Sequence, residues 1–477
     1  MNTEIQRLGE CRVTSPLRGG HFVRDEDRIL YYAHVLELAA DLEGGKAGPG
    51  VVDPASDVAY HPEEGRRSQV AGRRGRRLKS GPGDLRPAAC GLLAATPTFE
   101  LAGPRETIYF DPHKLKCGIV TCGGLCPGIN DVIRALVCEL MERYGVPTVY
   151  GFRFGFRGLS PRYTHPPLEL DPEFVDDIDE KGGTILGSSR GPQDISEVVD
   201  TLDRMNIGIL FTIGGDGTSR GAQAIVQEIG RRGLKIAVVG IPKTIDNDLS
   251  YIERTFGFET AVSEARQAIY SAHIEAKGAF HGVGLVRLMG RYCGFIAAYS
   301  TLANSDVNFC LIPEVPFTLE GEHGLANALR RRLERRGHAV IVAAEGAGQD
   351  LMAAAGSAGT DASGNRLLHD IGFFLRDRLN AAFAQLGVEI NLRYIDPSYM
   401  IRSTPANADD SVFCVHLAQN AVHAGMTGRT AVLVSYWNSH FVHVPIELAV
   451  SETKKVQPDG RLWQSVLEAT GQPPLMQ

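Results

Sequence analysis

No stretch of this chain strings together the ~20 apolar residues that cross a bilayer, so a membrane-spanning helix is not expected. Tryptophan is scarce, with two in 477 residues, and aromatics as a whole make up 7%. Basic charge is in deficit: 49 Lys and Arg face 56 Asp and Glu, a net −7 that argues against a general nucleic-acid binder. Cysteines number nine, an odd count scattered from Cys11 to Cys414. Cys122 and Cys126 have no partner pair at metal-ligand spacing, which leaves reduced thiols in a cytoplasmic protein as the expectation. The opening MNTEIQRLGE lacks the basic start and apolar core of a secretory signal, in keeping with that location. Glycine is the residue in surplus, at 54.

Hydrophobic residues at 43% and charged residues at 22% fit a globular chain long enough for two or three domains. Residues 1–98 read as an irregular N-terminal extension. Gly44–Pro87 is rich in Gly, Pro and Arg, and Arg66–Lys79 carries seven positive charges; both predict a disordered, solvated insert. From Lys116 the pattern becomes strand, loop, helix. Apolar runs at Cys117–Thr121, Val146–Tyr150, Ile207–Ile213, Ile236–Ile241, Val283–Leu288, Phe309–Ile312, Ala339–Ala343 and Ala431–Val434 predict strands with helices between them. That alternation predicts an α/β protein with two doubly wound, Rossmann-like domains and a cleft between them.

Two loops carry the chemistry. Residues 214–218, Gly-Gly-Asp-Gly-Thr, follow an apolar strand, and PKTIDND (242–248) follows the next one. Open α/β sheets bind ligands at such strand ends. Glycines let backbone N–H groups approach a phosphate, and Asp216 is an oxygen ligand suited to Mg²⁺. Asp246 and Asp248 offer carboxylates for a proton and for a metal, so the pair of loops reads as phosphoryl transfer. GGDGT alone also resembles the nucleotide loop of NAD kinases and of diacylglycerol-type lipid kinases. An Asx-turn is the bland alternative for Asp246–Asp248.

Taken in order, TCGGLCPGIN (121–130), LGSSRGP (186–192), IGGDGT (213–218), PKTIDND (242–248), LVRLMGRYCGFIA (285–297), PEVPF (313–317), AEGAG (344–348) and YIDPSYMIR (394–402) resemble the phosphofructokinase family. The last motif and FELAGPRETIYFDP (99–112) are most similar to its long plant-type and mixed-substrate branch. The resemblance implies an ATP-dependent 6-phosphofructokinase of glycolysis that uses Mg²⁺, acts on fructose 6-phosphate, and assembles as a homodimer or homotetramer. It places the donor-binding domain at 99–258 plus about 400–435. The sugar-phosphate domain would take 259–399 plus about 436–477.

Residue by residue, the resemblance puts Gly123, Arg190, Gly191, Gly215, Asp216, Gly217 and Thr218 around the donor, with Asp216 as the Mg²⁺ ligand. Asp246 is the implied base for the sugar C1 hydroxyl, with Arg190, Lys243 and Arg291 as cations on the transferring group. Thr244, Ile245, Asp246, Met289, Gly290, Arg291, Glu345, Tyr399, Met400, Ile401 and Arg402 are the implied sugar-phosphate contacts, and Arg393 a further cation across a subunit boundary. Glu314, in PEVPF, has no assigned role. Gly282 stands where the compact enzymes carry a phosphate-binding Arg. Diphosphate-using relatives carry Asp at position 217 and Lys at 243; this chain has Gly217, which leaves room for a nucleotide, together with Lys243. ATP is therefore the expected donor and diphosphate the alternative. A non-catalytic regulatory chain would have lost Asp216, Asp246 or Arg291, and all three are present.

Overall fold

A computed structural model describes residues 2–18, 21–30, 98–163, 165–355, 359–360 and 367–476. The Arg-rich stretch 66–79 and the rest of the 44–87 insert lie outside the described residues. Thirteen strands build two sheets: β1 (Arg28–Leu30), β2 (Thr98–Leu101), β3 (Lys116–Thr121), β4 (Thr148–Phe152), β5 (Leu168–Leu170), β6 (Ile209–Gly214), β7 (Ala237–Pro242), β8 (Gly282–Leu288), β9 (Phe309–Leu311), β10 (His338–Ala344), β11 (Asn391–Ile395), β12 (Val432–Trp437) and β13 (His440–Pro445). Nine form a large sheet in the order β1-β2-β13-β12-β7-β6-β3-β4-β5, and four a small one in the order β9-β10-β8-β11.

The expected strands fill the centres of these sheets, except β9, which edges the small one. The ladders joining β4, β3, β6, β7 and β12 are parallel, as are all three in the small sheet. Central strands are buried on both faces, which is why they read as continuous apolar runs. Ile119, Phe211 and Val239 face one core, with Ile129 and Leu417 from helices α1 (Ile129–Cys138) and α9 (Ala408–Met426). Their neighbours Val120, Leu210 and Val238 face the other, with Val198 and Ile225 from α2 (Ile195–Arg204) and α3 (Asp216–Arg232). The small sheet is flanked in the same way by α4 (Phe258–Gly278) and α5 (Phe295–Leu302) on one face. On the other lie α6 (Leu325–Arg336) and α7 (Ile371–Gln385).

Two features depart from the sequence reading, and a third finding explains one of its observations. First, the expected division near residue 435 is wrong for the strands: β12 and β13 form an antiparallel hairpin in the large sheet, where Leu433, Val442 and Val444 share a core with Val238. Only beyond it does the chain cross over, and Trp463 of α10 (Arg461–Thr470) packs into the small sheet's core. Second, the extension is not all irregular. β1 pairs antiparallel with β2, and Arg7 and Asp25 join a buried charge cluster with Glu100, Arg105 and Arg429. Third, Gly282 opens β8 against α4: a Cβ there would lie 2.1 Å from the Ala276 carbonyl oxygen. No arginine fits that position, so the departure from the compact pattern has a packing cause.

Candidate active site

The C-terminal ends of β3, β6 and β7 carry one set of loops, and those of β8, β10 and β11 the other. Lys243 ties the first set together. Its Nζ donates to the Gly124 carbonyl at 2.8 Å and its main-chain N–H to the Gly214 carbonyl at 2.9 Å. A Cβ on Gly123 would stand 3.6 Å from Lys243 Nζ, and one on Gly124 3.4 Å from Arg190 Nη2, so both cations overlie the first glycine turn. Ser188 Oγ donates to the Gly123 carbonyl at 2.6 Å and fixes the loop that bears Arg190 and Gly191. Burial lowers the Lys243 pKa, and the cations of Arg190 and Arg402 lower it further.

Helix α3 starts on Gly215, so the helix N-terminus points out of the GGDGT loop. Asp216 stands there about half exposed and pairs with Arg220 at 3.1 Å. Thr218 is buried with its side chain packed under Gly214. A Cβ on Gly217 would meet no atom within 4 Å, which leaves open space at the position that the donor argument turned on. No three His, Cys, Asp or Glu converge as a metal cage among the described residues. A lone exposed carboxylate fits Mg²⁺, which commonly takes one or two protein oxygens and fills its shell with phosphate and water.

The PKTIDND loop is held by its own side chains. Thr244 Oγ1 donates to Asp248 Oδ1 at 2.6 Å, and Thr255 Oγ1 donates to the Thr244 carbonyl at 2.6 Å. Asn247 sits at φ 54°, a left-handed conformation stabilised when its Nδ2 donates to the Glu253 carbonyl at 3.2 Å. These contacts present Asp246 to the other domain: its Oδ2 accepts from the Arg291 N–H at 3.4 Å, and Cys293 Sγ donates to its carbonyl at 3.3 Å. Asp246 Oδ1 is buried without a hydrogen-bond partner. Burial, reinforced by the charges of Asp248 and Glu345, pushes the Asp246 pKa up to about 7. A carboxylate near neutrality with one free, dry oxygen can take a proton from an approaching hydroxyl.

Gly290, at φ 123°, turns the chain so that its carbonyl accepts from the Gly346 N–H at 3.0 Å, which brings Arg291 beside the Glu345 strand end. Tyr399 and Met400 stand 83% and 75% exposed on the short helix α8 (Ser398–Ser403), next to Arg402. Met289 and Ile401 are buried in the small sheet's core, so their side chains anchor these loops from behind. Ile245 packs between two of the cores. Arg393 is exposed on β11, an edge strand of the small sheet.

Three participants had no role assigned from the sequence: Glu314, known there only as part of PEVPF, and Lys454 and Arg287, which were not singled out. Glu314 Oε1 accepts from the Gly294 N–H at 3.0 Å and from the Val456 N–H at 2.8 Å, so it caps α5 and pins the crossing segment. Lys454 N–H donates to the Asp248 carbonyl at 2.8 Å, and its Nζ to the Ile252 carbonyl at 2.7 Å. Arg287 bonds Glu345 at 3.0 Å. The one legible signal was Arg287 itself, a lone charge in the otherwise apolar GVGLVRL strand.

The phosphofructokinase family model matches residues 116–425. The ATP-dependent 6-phosphofructokinase of Borreliella burgdorferi is 53% identical over 381 residues, 79% of this chain and 85% of that protein. That of Amycolatopsis methanolica is 52% identical over 382 residues, 79% and 83% respectively. ATP-dependent 6-phosphofructokinase 7 of Arabidopsis thaliana is 49% identical over 376 residues, 79% and 77%. Among solved structures, a pyrophosphate-dependent phosphofructokinase from Marinobacter aquaeolei superposes with a TM-score of 0.59 at 19% identity, over 75% of this chain and 91% of that one. Pichia pastoris phosphofructokinase gives 0.58 at 22% identity, over 75% and 37%. At those identities the two structures bear on the fold alone.

Proposed function

Because this chain belongs to the phosphofructokinase family, we propose that it is an ATP-dependent 6-phosphofructokinase of glycolysis. It moves the γ-phosphoryl group of ATP to the C1 hydroxyl of D-fructose 6-phosphate, giving fructose 1,6-bisphosphate and ADP. The observation that carries this reading is Asp246, whose dry, partnerless Oδ1 and pKa near 7 suit it to accept the C1 proton as the oxygen attacks phosphorus.

The surrounding residues follow from their placement. Gly123, Gly191 and Gly215 let main chain approach the donor phosphates, and Lys243 and Arg190 lie over the same turn, where charge builds on the leaving group. Arg291 supplies a further cation from the opposite domain. Asp216 would hold Mg²⁺ together with donor oxygens, and the ion neutralises phosphate charge when bound. Thr244 and Asp248 keep the base in place. Glu345 and Gly290 face the sugar, and Arg402, with Tyr399 and Met400 beside it, takes the 6-phosphate as a bidentate clamp.

Open space at Gly217 favours ATP, since a nucleotide needs volume behind the transferred group. Lys243, buried over the first glycine turn, favours diphosphate as the second reading. A homodimer or homotetramer is supported by the edge of β11, unpaired among the described residues, and by Phe280, 69% exposed nearby in the chain before β8. Among the described residues no helix is long and apolar enough to cross a membrane, and we assign the enzyme to the cytoplasm.

The deciding experiment is a coupled assay on purified protein with fructose 6-phosphate and Mg²⁺, comparing ATP and diphosphate. Turnover with ATP supports the reading. Turnover with diphosphate alone gives the donor to Lys243, and no turnover with either rejects the proposal.

A further inference from the structure

Arg287 is the penultimate residue of β8, with its side chain 19% exposed. Its two amino arms reach three carboxylates on three separate elements. Nη2 donates to Glu345 Oε2 at 3.0 Å, just beyond β10. Nη1 pairs with Asp396, just beyond β11, and lies 3.6 Å from Asp370 Oδ2. Asp370 is the N-cap of α7, where its Oδ1 accepts from the Phe373 N–H at 3.0 Å. Asp396 Oδ1 accepts from the Ser398 N–H at 3.0 Å and so sets the start of α8. Burial alone would lower the arginine pKa, yet Asp396, Glu345 and Asp370 together raise it, so the charge is firmly held.

Two of these contacts lead to opposite ends of one substrate. Glu345 is at the sugar-hydroxyl end, whereas α8 carries Arg402 at the phosphate end. We propose that Arg287 is a positioning residue for the acceptor: one guanidinium sets the distance between the hydroxyl-reading carboxylate and the phosphate-reading helix, and so matches the site to a sugar phosphate of fixed length. The inference rests on the functional reading above, which puts the acceptor between Glu345 and Arg402. The planar fork matters, because Nη2 and Nη1 serve different elements at once, and a single ammonium nitrogen cannot span them.

Arg287 also bears on the base. Glu345 is one of the charges that raise Asp246, and Arg287 offsets part of that charge. Loss of the guanidinium therefore moves Asp246 further up, and a lysine that keeps the charge does not. Length-setting and charge-setting thus separate between two substitutions.

The test is steady-state kinetics on the full chain for wild type, Arg287→Met, Arg287→Lys and Asp396→Asn, varying fructose 6-phosphate and ATP independently from pH 6 to 9. Arg287→Met is expected to raise KM for fructose 6-phosphate roughly tenfold or more, with KM for ATP within about twofold, and to shift the acid limb of kcat/KM to higher pH. Arg287→Lys should keep the wild-type acid limb and still show the raised KM. Asp396→Asn, which leaves the Glu345 contact intact, should raise the same KM without moving the acid limb and provides the answer if Arg287→Met does not fold. An unchanged KM for fructose 6-phosphate in all three variants overturns the proposal, as does an equal rise in both KM values. Absence of wild-type turnover on fructose 6-phosphate would instead reject the functional reading, before any variant is compared.

Discussion

Asp246 Oδ2 accepts the main-chain N–H of Arg291 at 3.4 Å, so the carboxylate of the PKTIDND loop is aimed by a loop from the other sheet. The proposed base is thus set by a contact between loops of the two sheets, and its second oxygen stays buried and unpaired. A group in that state is responsive both to substitution and to pH.

Asp246→Asn is expected to lower kcat by ~10²–10⁴-fold while KM for fructose 6-phosphate changes little. In the wild type, kcat/KM should fall with unit slope as pH drops through about 7, because the protonated carboxyl cannot accept the C1 proton. Stopped assays across pH 5.5–9 check both. A flat profile below pH 7 would remove Asp246 as the base.

The same shift has a stability consequence of opposite sign to the usual acidic residue. The folded pKa is raised above the unfolded value, so ionised Asp246 costs stability, and the cost grows from about pH 4 to about pH 7 and is constant above. Asp246→Asn should therefore unfold at a higher temperature than wild type at pH 8, with the gain vanishing near pH 4. Thermal melts at the two pH values measure it.

Gly217→Asp adds a side chain into open space at the first turn of a helix, where an acidic residue is favoured. The fold should be unaffected, whereas repulsion of an α-phosphate should raise the ratio of diphosphate to ATP kcat/KM by roughly tenfold. Equal losses with both donors would contradict the steric account.

Glu314 satisfies two main-chain N–H groups with one oxygen, at Gly294 and Val456. Glu314→Ala leaves both unpaired, an expected loss of roughly 2–5 kcal/mol measured by urea unfolding. Glu314→Gln retains an acceptor, and because burial already raises the Glu314 pKa it should lose little.

Buried Glu100 is opposed by its own burial but held well below the usual carboxylate range by His443, Arg429 and Arg7. Its stabilising contribution is present above the unfolded pKa and is lost as pH falls below about 4.5. Glu100→Gln should destabilise by ~3–5 kcal/mol at pH 7, because it leaves Arg429 and Arg105 buried and undercompensated. The gap to wild type should narrow progressively below that pH, as read by urea titrations.

What could be read in the sequence was whatever lies contiguous in it. β3, β6, β7, β8 and β10 were legible because both faces of each are buried and the chain records that as unbroken apolar residues. The glycine turns and the PKTIDND loop were legible because each performs its task within a few residues. β11 was missed because an edge strand, half-buried along its length, carries no such run. β13 (HFVHVP) was missed because its buried His443 is polar and its burial is explained only by Glu100, 343 positions away. Arg287, Glu314 and Lys454 share that property: each acts through partners brought near by the fold, so neither the lone charge of Arg287 in its strand nor the PEVPF motif around Glu314 discloses its role.

The position of β13 also bears on how the protein is made. It sits between β2 and β12, so it joins the first strands of the large sheet to the rest. The small sheet, in contrast, is drawn from the unbroken span 282–395. On the ribosome the small sheet can close while synthesis continues, but the large one keeps an unzipped seam until residue 445 has left the exit tunnel. The glycine loops at the ends of β3, β6 and β7 emerge early, and the sheet beneath them is completed only once β13 has followed.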